Sequence, residues 1–408
     1  MSRAVRCRIF ATMATIVSPR PARPSGAPTG GPELPHRVRR VAAIAAVIIL
    51  AVALVSYIGS MTGRSNTALG VRSVEWLRDN GAASIVAQVE TWYYELNAPS
   101  KGGHIKALPK VGVAVTPAAG PTAHHRATVV LARPASVAPM IHPALPGEGV
   151  WHATRSGLGP APPLMVTTLR NEPAYPQEVV ALAWIDTKRT QTLLYSGLHE
   201  PAVALPSRGP MEVPTGRRDH LLATFNSGFK LVDSLGGYTI HGHTYQRLVD
   251  GLATFVGYRN GTVNIVPWSH GAVAPPDVLY ARQNLPLIVD HGLPNPSLNT
   301  GAQWGATVGN AILVWRSGIG IDKHGNLIYA AGNDQTVMSL AAALVRAGAV
   351  RAMELDINSY WVSFITYGAW GALDPANLLA TMVRSPARYL TPDDRDFFAL
   401  YLRTHALR

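Results

Sequence analysis

The chain has a single cysteine, Cys7. It lies within the first forty residues, so the remainder has no disulfide, no thiolate nucleophile and no cysteine-ligated metal. Lysine is nearly as scarce, at 6 of the 36 basic residues, and the bias towards Ala, Gly, Pro and Arg is that of a GC-rich bacterial genome. Only 15% of the 408 residues are charged while 47% are apolar, a composition of a globular protein plus something more apolar still. The net charge of +12 invites a nucleic-acid reading, but its location speaks against one. Residues 1–40 hold eight arginines and one glutamate, so the other 368 residues carry only +5, without clustering of basic and aromatic side chains. Nucleic acid is therefore not an expected partner.

Residues 1–40 are rich in Pro and Arg and have no apolar periodicity, which predicts a disordered basic tail. The apolar run that follows, residues 41–60, reaches the roughly 20 residues needed to cross a bilayer core. Arg37, Arg39 and Arg40 abut its start, so the positive-inside rule predicts a cytoplasmic N-terminus and an extracytoplasmic main domain on a single-pass anchor in the cell membrane. A cleaved signal peptide fits less well, because the lead is long and no clear small-x-small site follows. Residues 61–103 show helical spacing broken at Asn80-Gly81 and read as a helical stalk.

From 104 to 220 short apolar runs alternate with Pro and Gly clusters, a β-rich signature: Val111–Val115, Thr128–Leu131, Leu164–Leu169, Val179–Ile185 and Thr192–Tyr195. From 221 to 408 strands alternate with turn motifs. Asn260-Gly261 between two apolar runs predicts a hairpin with a type I′ turn. Thr336 caps a helix ended by Gly348, while Asp374-Pro375 and Thr391-Pro392 each read as a further helix start. The expected fold class is α+β, with mixed, largely antiparallel sheets and flanking helices preceded by one N-terminal transmembrane helix.

The segment Met353–Trp361 reads as a strand with Met353, Leu355 and Ile357 on one face and Glu354, Asp356 and Asn358 on the other. Two carboxylates on one half-buried strand need a partner or a task. His241 and His243, two apart, have no third ligand at a recognisable spacing, so no metal and no other cofactor is expected.

Several motifs then fall in order. Asn226-Ser227-Gly228-Phe229, Gln283-Asn284-Leu285-Pro286-Leu287-Ile288 before Gly292, Arg316-Ser317-Gly318-Ile319-Gly320, Gln335-Thr336-Val337 and Leu355-Asp356-Ile357-Asn358 together resemble the phosphodiester glycosidase family over roughly residues 221–385. That resemblance implies cleavage at a sugar's anomeric carbon with a phosphomonoester leaving. Such a leaving group needs little general acid but does need positive charge, and an oxocarbenium-like transition state needs a carboxylate. The implied catalytic residues are Asp356, Glu354 and Arg316. Asn226, Gly228, Ser317, Gly318 and Asn358 are the implied substrate contacts, and His241 and Asp250 are pocket candidates by position alone. The expected substrate is a sugar-1-phosphate diester of cell-envelope glycan.

The family pattern is not followed throughout. Ser227 stands where the family has a glycine, and Ile357-Asn358 replace a double glycine. Those departures motivate the second reading, a catalytically silent glycan-binding or scaffold domain of the envelope. A metal-dependent phosphodiesterase would require the histidines and carboxylates to converge.

Overall fold

The computed structural model describes residues 36–111, 132–159, 161–299, 304 and 313–403. The basic tail up to residue 35 lies outside them, as do residues 112–115 of the expected run Val111–Val115 and the whole of the expected run Thr128–Leu131. The chain divides into two compact units, 1–58 and 59–408.

In the first unit the described residues belong to helix α1, His36–Thr62, whose last turn enters the second unit. Helix α1 is long and apolar enough to cross a membrane and buries none of its residues in protein. It begins at His36, so the basic flank expected to be irregular is partly helical.

The second unit starts with helices α2 (Leu69–Leu77) and α3 (Ala83–Leu96), separated by the expected break. Gly81 there has φ +91°, a left-handed conformation that glycine adopts without steric cost. Arg72 of α2 folds back to donate to the carbonyls of Ser60 and Gly63.

The remainder is built on sheets whose strand pairings, among the described residues, are all antiparallel. The largest has eight strands in the order His152–Ala153, Leu164–Arg170, Val179–Ile185, Leu327–Gln335, Val314–Asp322, Ala349–Glu354, Leu287–Asp290, Leu293–Pro294. A five-stranded sheet runs His243–Gln246, Tyr238–Ile240, Val278–Gln283, Ala253–Tyr258, Val263–Pro267. A second five-stranded sheet runs Leu373–Asn377, Phe364–Ala369, Leu221–Asn226, Phe397–Leu402, Thr190–Tyr195. A short helix, α4 (Leu231–Ser234), lies between the strands Leu221–Asn226 and Tyr238–Ile240.

The main core collects side chains from these sheets. Phe225 stacks on Phe364 and Phe398, and Phe398 meets Phe255 with ring centroids 4.6 Å apart. The opposite face of the large sheet is covered by helix α5 (Val337–Arg346), which packs Leu340, Ala341 and Leu344 against Leu182, Ile328 and Ala352. Central strands such as Val179–Ile185 are therefore buried on both faces and read as continuous apolar runs. Helix α5 starts as expected: Thr336 and Ser339 cap each other reciprocally, and Gly348 follows its end with φ +101°.

Several local expectations fail for physical reasons. Asp374-Pro375 lies in a strand, and Thr391-Pro392 leads into the strand Phe397–Leu402 rather than a helix. The Phe-Phe-Ala-Leu-Tyr-Leu run is apolar on both faces, and its aromatic residues favour a strand at the centre of a sheet. In the Tyr258–Thr262 turn only Gly261 has positive φ, and Gly261 N–H donates to Tyr258 O. That is a type I turn followed by a left-handed glycine, not type I′, which needs positive φ at both central positions. Finally, the strand expected over Met353–Trp361 stops at Glu354: Ala349–Glu354 pairs with neighbours on both sides, and the chain beyond it turns at Asp356 and Asn358, whose side chains accept from backbone N–H groups two residues on.

Candidate functional site

The strand Ala349–Glu354 carries the chain into a junction where four distant segments meet. Past its end, Leu355 N–H donates to Ser317 O at 2.8 Å and Asp356 N–H to Ser227 O at 3.1 Å. Ser317 Oγ donates to Asp356 O, and Asn226 Nδ2 donates to Ser317 Oγ at 3.0 Å and to Ser227 O. Asn226 Oδ1 in turn accepts from the Tyr329 hydroxyl and from Ser363 N–H. Asn226 thus has its amide fully engaged within the protein, which pins the junction instead of presenting a free group. Gly228 sits against Asn284, where an added Cβ would come within 3.1 Å of that side chain. Asn284 Nδ2 donates to Glu354 O.

The two carboxylates have separate environments. Glu354 is wholly buried, and its Oε1 accepts from Arg316 Nη1 at 2.5 Å. Arg316 is itself buried and also donates through Nε to the carbonyl of Gln335 and through Nη1 to that of Trp304. Burial pushes the Glu354 carboxyl up to about 7, Arg316 opposes that shift, and nearby Asp356 adds to it.

Asp356 points elsewhere. Arg395 Nη2 donates to its Oδ2 at 2.8 Å and to Gly228 O at 3.2 Å. Asn358 N–H donates to Asp356 Oδ1, and Asn358 Oδ1 accepts from Tyr360 N–H, so this stretch is a run of side-chain-closed turns. Burial raises the Asp356 carboxyl above its ordinary range, with Arg395 and the Asn358 amide acting the other way.

Arg395 and the buried Trp361 line a cavity of about 280 Å³. The Trp361 ring is ringed by guanidinium groups, with Arg388 and Arg395 each 5.2 Å and Arg384 5.4 Å from its centroid. Asp393 holds two of them, accepting from Arg388 at 2.8 Å and Arg384 at 3.2 Å. The stalk supplies the facing wall: Glu75 of α2 is ion-paired to Lys230, and Trp76 and Asp79 line the same space. Although burial opposes it, the Lys230 ammonium holds the Glu75 carboxyl below its usual range. Between α1 and α2 the chain is stitched down: Ser65 and Thr67 hydroxyls donate to Asp394 and Asn66 Oδ1 accepts from Arg384 at 2.7 Å.

Asp356, Glu354, Arg316, Ser317, Asn226, Gly228 and Asn358 therefore gather around one strand end. Gly318, opposite Glu354 in the register, belongs there too. His241 and Asp250 lie outside that group, in the turns that follow the strands Tyr238–Ile240 and His243–Gln246. His241 occupies a tight turn with φ +53°, and Asp250 accepts from Gly271 N–H. No group of three or more metal-ligating side chains forms among the described residues. Sequence reasoning does not single out Arg395, Trp361, Arg384, Arg388 or Asp393. For Asp393 and Arg395 the visible signal is the dense charged run Asp393-Asp394-Arg395-Asp396 just before an apolar strand.

No family model matches the chain, and no curated protein matches it. Among solved structures, the catalytic domain of zebrafish N-acetylglucosamine-1-phosphodiester alpha-N-acetylglucosaminidase, auto-inhibited by its pro-peptide, is similar at 16% identity and a TM-score of 0.37, over 60% of this chain and 85% of that one. A hypothetical protein from Synechocystis is similar at 13% identity and a TM-score of 0.32, over 55% of this chain and 59% of that one. A putative exported protein from Burkholderia pseudomallei is similar at 12% identity and a TM-score of 0.30, over 55% of this chain and 74% of that one.

Proposed function

We propose that the chain is a membrane-anchored hydrolase of sugar-1-phosphate diesters, acting on cell-envelope glycan outside the cytoplasm. The observation that carries this reading is the Asp356–Arg395 pair, whose arginine stands with Trp361 in the wall of a cavity. Arg395 rather than Arg316 is the cation for the substrate, because Arg316 is committed to Glu354 and two carbonyls. A phosphodiester anion entering the cavity takes the place of Asp356 on the Arg395 guanidinium, whose planar fork can hold two phosphate oxygens. Asp356 is then released towards the anomeric carbon as nucleophile or as base for water. The C1–O bond breaks, its electron pair leaves on the phosphomonoester, and water supplies the new hydroxyl. The Trp361 ring offers an apolar platform to the sugar. Glu354 and Arg316 support this strand end from the opposite side.

Substitution Asp356→Asn is the test. We expect turnover of a sugar-1-phosphate diester to be lost while saturable binding persists. In the parent protein, ¹⁸O from solvent should appear on the sugar and not on the phosphate; label on phosphate would overturn the glycosidic assignment. Orientation follows from Arg37, Arg39 and Arg40 at the start of α1. Cys7 should accordingly resist a membrane-impermeant maleimide in intact cells and react after lysis.

One observation favours the alternative, a catalytically silent glycan-binding domain. Asp356 is not itself in the cavity wall, and two of the cations that are in it, Lys230 and Arg395, already hold carboxylates. Binding of envelope glycan with no product after long incubation would decide for that reading.

A further inference from the structure

Helix α3 is built inside out for a helix on a soluble surface. Its inward side holds Val86 and Glu90, the latter paired to Arg78. Its outward side carries Ile85, Val89, Trp92, Tyr93 and Leu96, each between 55% and 86% exposed. Their spacing of four, three, one and three residues forms one continuous stripe down the helix. A surface helix normally turns its polar side outward, and a stripe of large apolar groups in that position marks a surface that something covers.

Position and composition say what covers it. Helix α3 begins twenty-one residues after α1 ends, and Arg72 of the intervening α2 bonds to carbonyls of Ser60 and Gly63 at the end of α1. The stripe is therefore a short tether away from the C-terminal end of the apolar helix. Trp and Tyr are the residues that settle at the level of lipid headgroups, because one end of each ring is apolar and the other is wet. Two further exposed apolar side chains, Val232 and Leu235, follow Lys230, which is ion-paired to Glu75 and Asp79 beside the α2–α3 bend. We propose that the outward face of α3 lies in the headgroup layer of the same membrane that α1 crosses, and so holds the cavity of the second unit beside the lipid surface. Helix α3 has Glu90 and Glu95 but no Lys or Arg. Its attachment therefore draws on apolar burial and needs no anionic lipid.

The test uses the full chain in phosphatidylcholine vesicles. In a Cys7→Ser background, an environment-sensitive fluorophore is placed at Val89→Cys, at Ile85→Cys as a second reporter, and at Val273→Cys as an exposed site far along the chain. The labels at 85 and 89 should be blue-shifted, shielded from aqueous iodide and quenched by nitroxide lipids at a depth of roughly 5–10 Å. The label at 273 should remain open to iodide. The substitution Trp92→Gln should weaken the shielding at 85 and leave vesicle flotation intact, since α1 still anchors the chain. A chain that floats with 85 and 89 as open to iodide as 273 overturns the proposal. Shielding that disappears on dilution into excess lipid assigns the face to a second copy and overturns it equally. A chain that fails to float refutes α1 as the anchor and this proposal with it, but leaves the hydrolase reading to its own assay.

Discussion

Two ion pairs stand two residues apart on one stretch of chain and differ in almost every respect that matters for function. Arg316–Glu354 is buried inside the protein, with the arginine also donating to the carbonyls of Gln335 and Trp304. Arg395–Asp356 sits past the strand end, with its arginine in a cavity wall. A sealed pair is out of a ligand's reach, because both side chains are buried. A pair at a wall can be opened by a competing anion. Both pairs bridge similar distances in sequence, 38 and 39 residues, so spacing alone does not separate the structural from the available one.

The comparison can be broken most severely from the sealed side. Glu354→Gln leaves a buried guanidinium without its counter-charge and should cost about 3–5 kcal/mol of stability, read by denaturant unfolding. A double replacement, Arg316→Met with Glu354→Leu, should recover much of that loss, since removing both charges also removes the desolvation penalty. If the single variant proves as stable as the parent, the pair is not sealed as described. Asp356→Asn should lower stability less, by about 1–3 kcal/mol, because its single amide oxygen can still accept from one of the two donors, Arg395 or Asn358 N–H. Its larger effect should be on turnover of a sugar-1-phosphate diester, down by at least about a hundredfold.

A subtler change sharpens the wall side. Glu75 is the anion now paired to Lys230 in the cavity. Glu75→Gln should tighten binding of inorganic phosphate, by roughly tenfold if the local dielectric is that of a partly buried site. Unchanged phosphate affinity, measured by calorimetry, would remove α2 from the account of access.

The smallest effect concerns pH. Burial together with the adjacent Asp334 carboxylate raises Glu178 to about 7, and burial raises Glu354 to a similar value, from 4.5 in both cases. A carboxyl whose folded pKa is raised holds its proton longer in the native state. Its contribution is present below 4.5 and is lost as pH rises towards 7. Stability should therefore decline across that window, and Glu178→Gln should flatten part of the decline without touching turnover.

Only the resemblance groups the candidate site residues in advance; local chemistry by itself announces caps and breaks. The Asn226, Ser317 and Asp356 segments do converge, joined by hydrogen bonds from Asn226 Nδ2 and Ser317 Oγ. The Thr336 cap, the Asn80-Gly81 break and the strand Val179–Ile185 fall where their patterns put them. The strand Phe397–Leu402 follows what reads locally as a helix start, because an N-cap residue before proline also opens turns, and burial in a sheet centre then decides. His241 and Asp250 are candidates by position alone, and position along the chain carries no information about which sheet a hairpin joins.

What the sequence settled by itself was governed by neighbours a few residues away: an apolar helix long enough for a bilayer, the Thr336 cap, the Asn80-Gly81 break, and the alternation of strands with breakers. Only the tertiary structure decided which arginine faces which carboxylate and which of the two pairs meets a cavity. Periodicity and turn preference act over a few bonds, whereas Coulomb attraction and desolvation depend on separation and burial in space, and those do not exist until the chain has closed on itself.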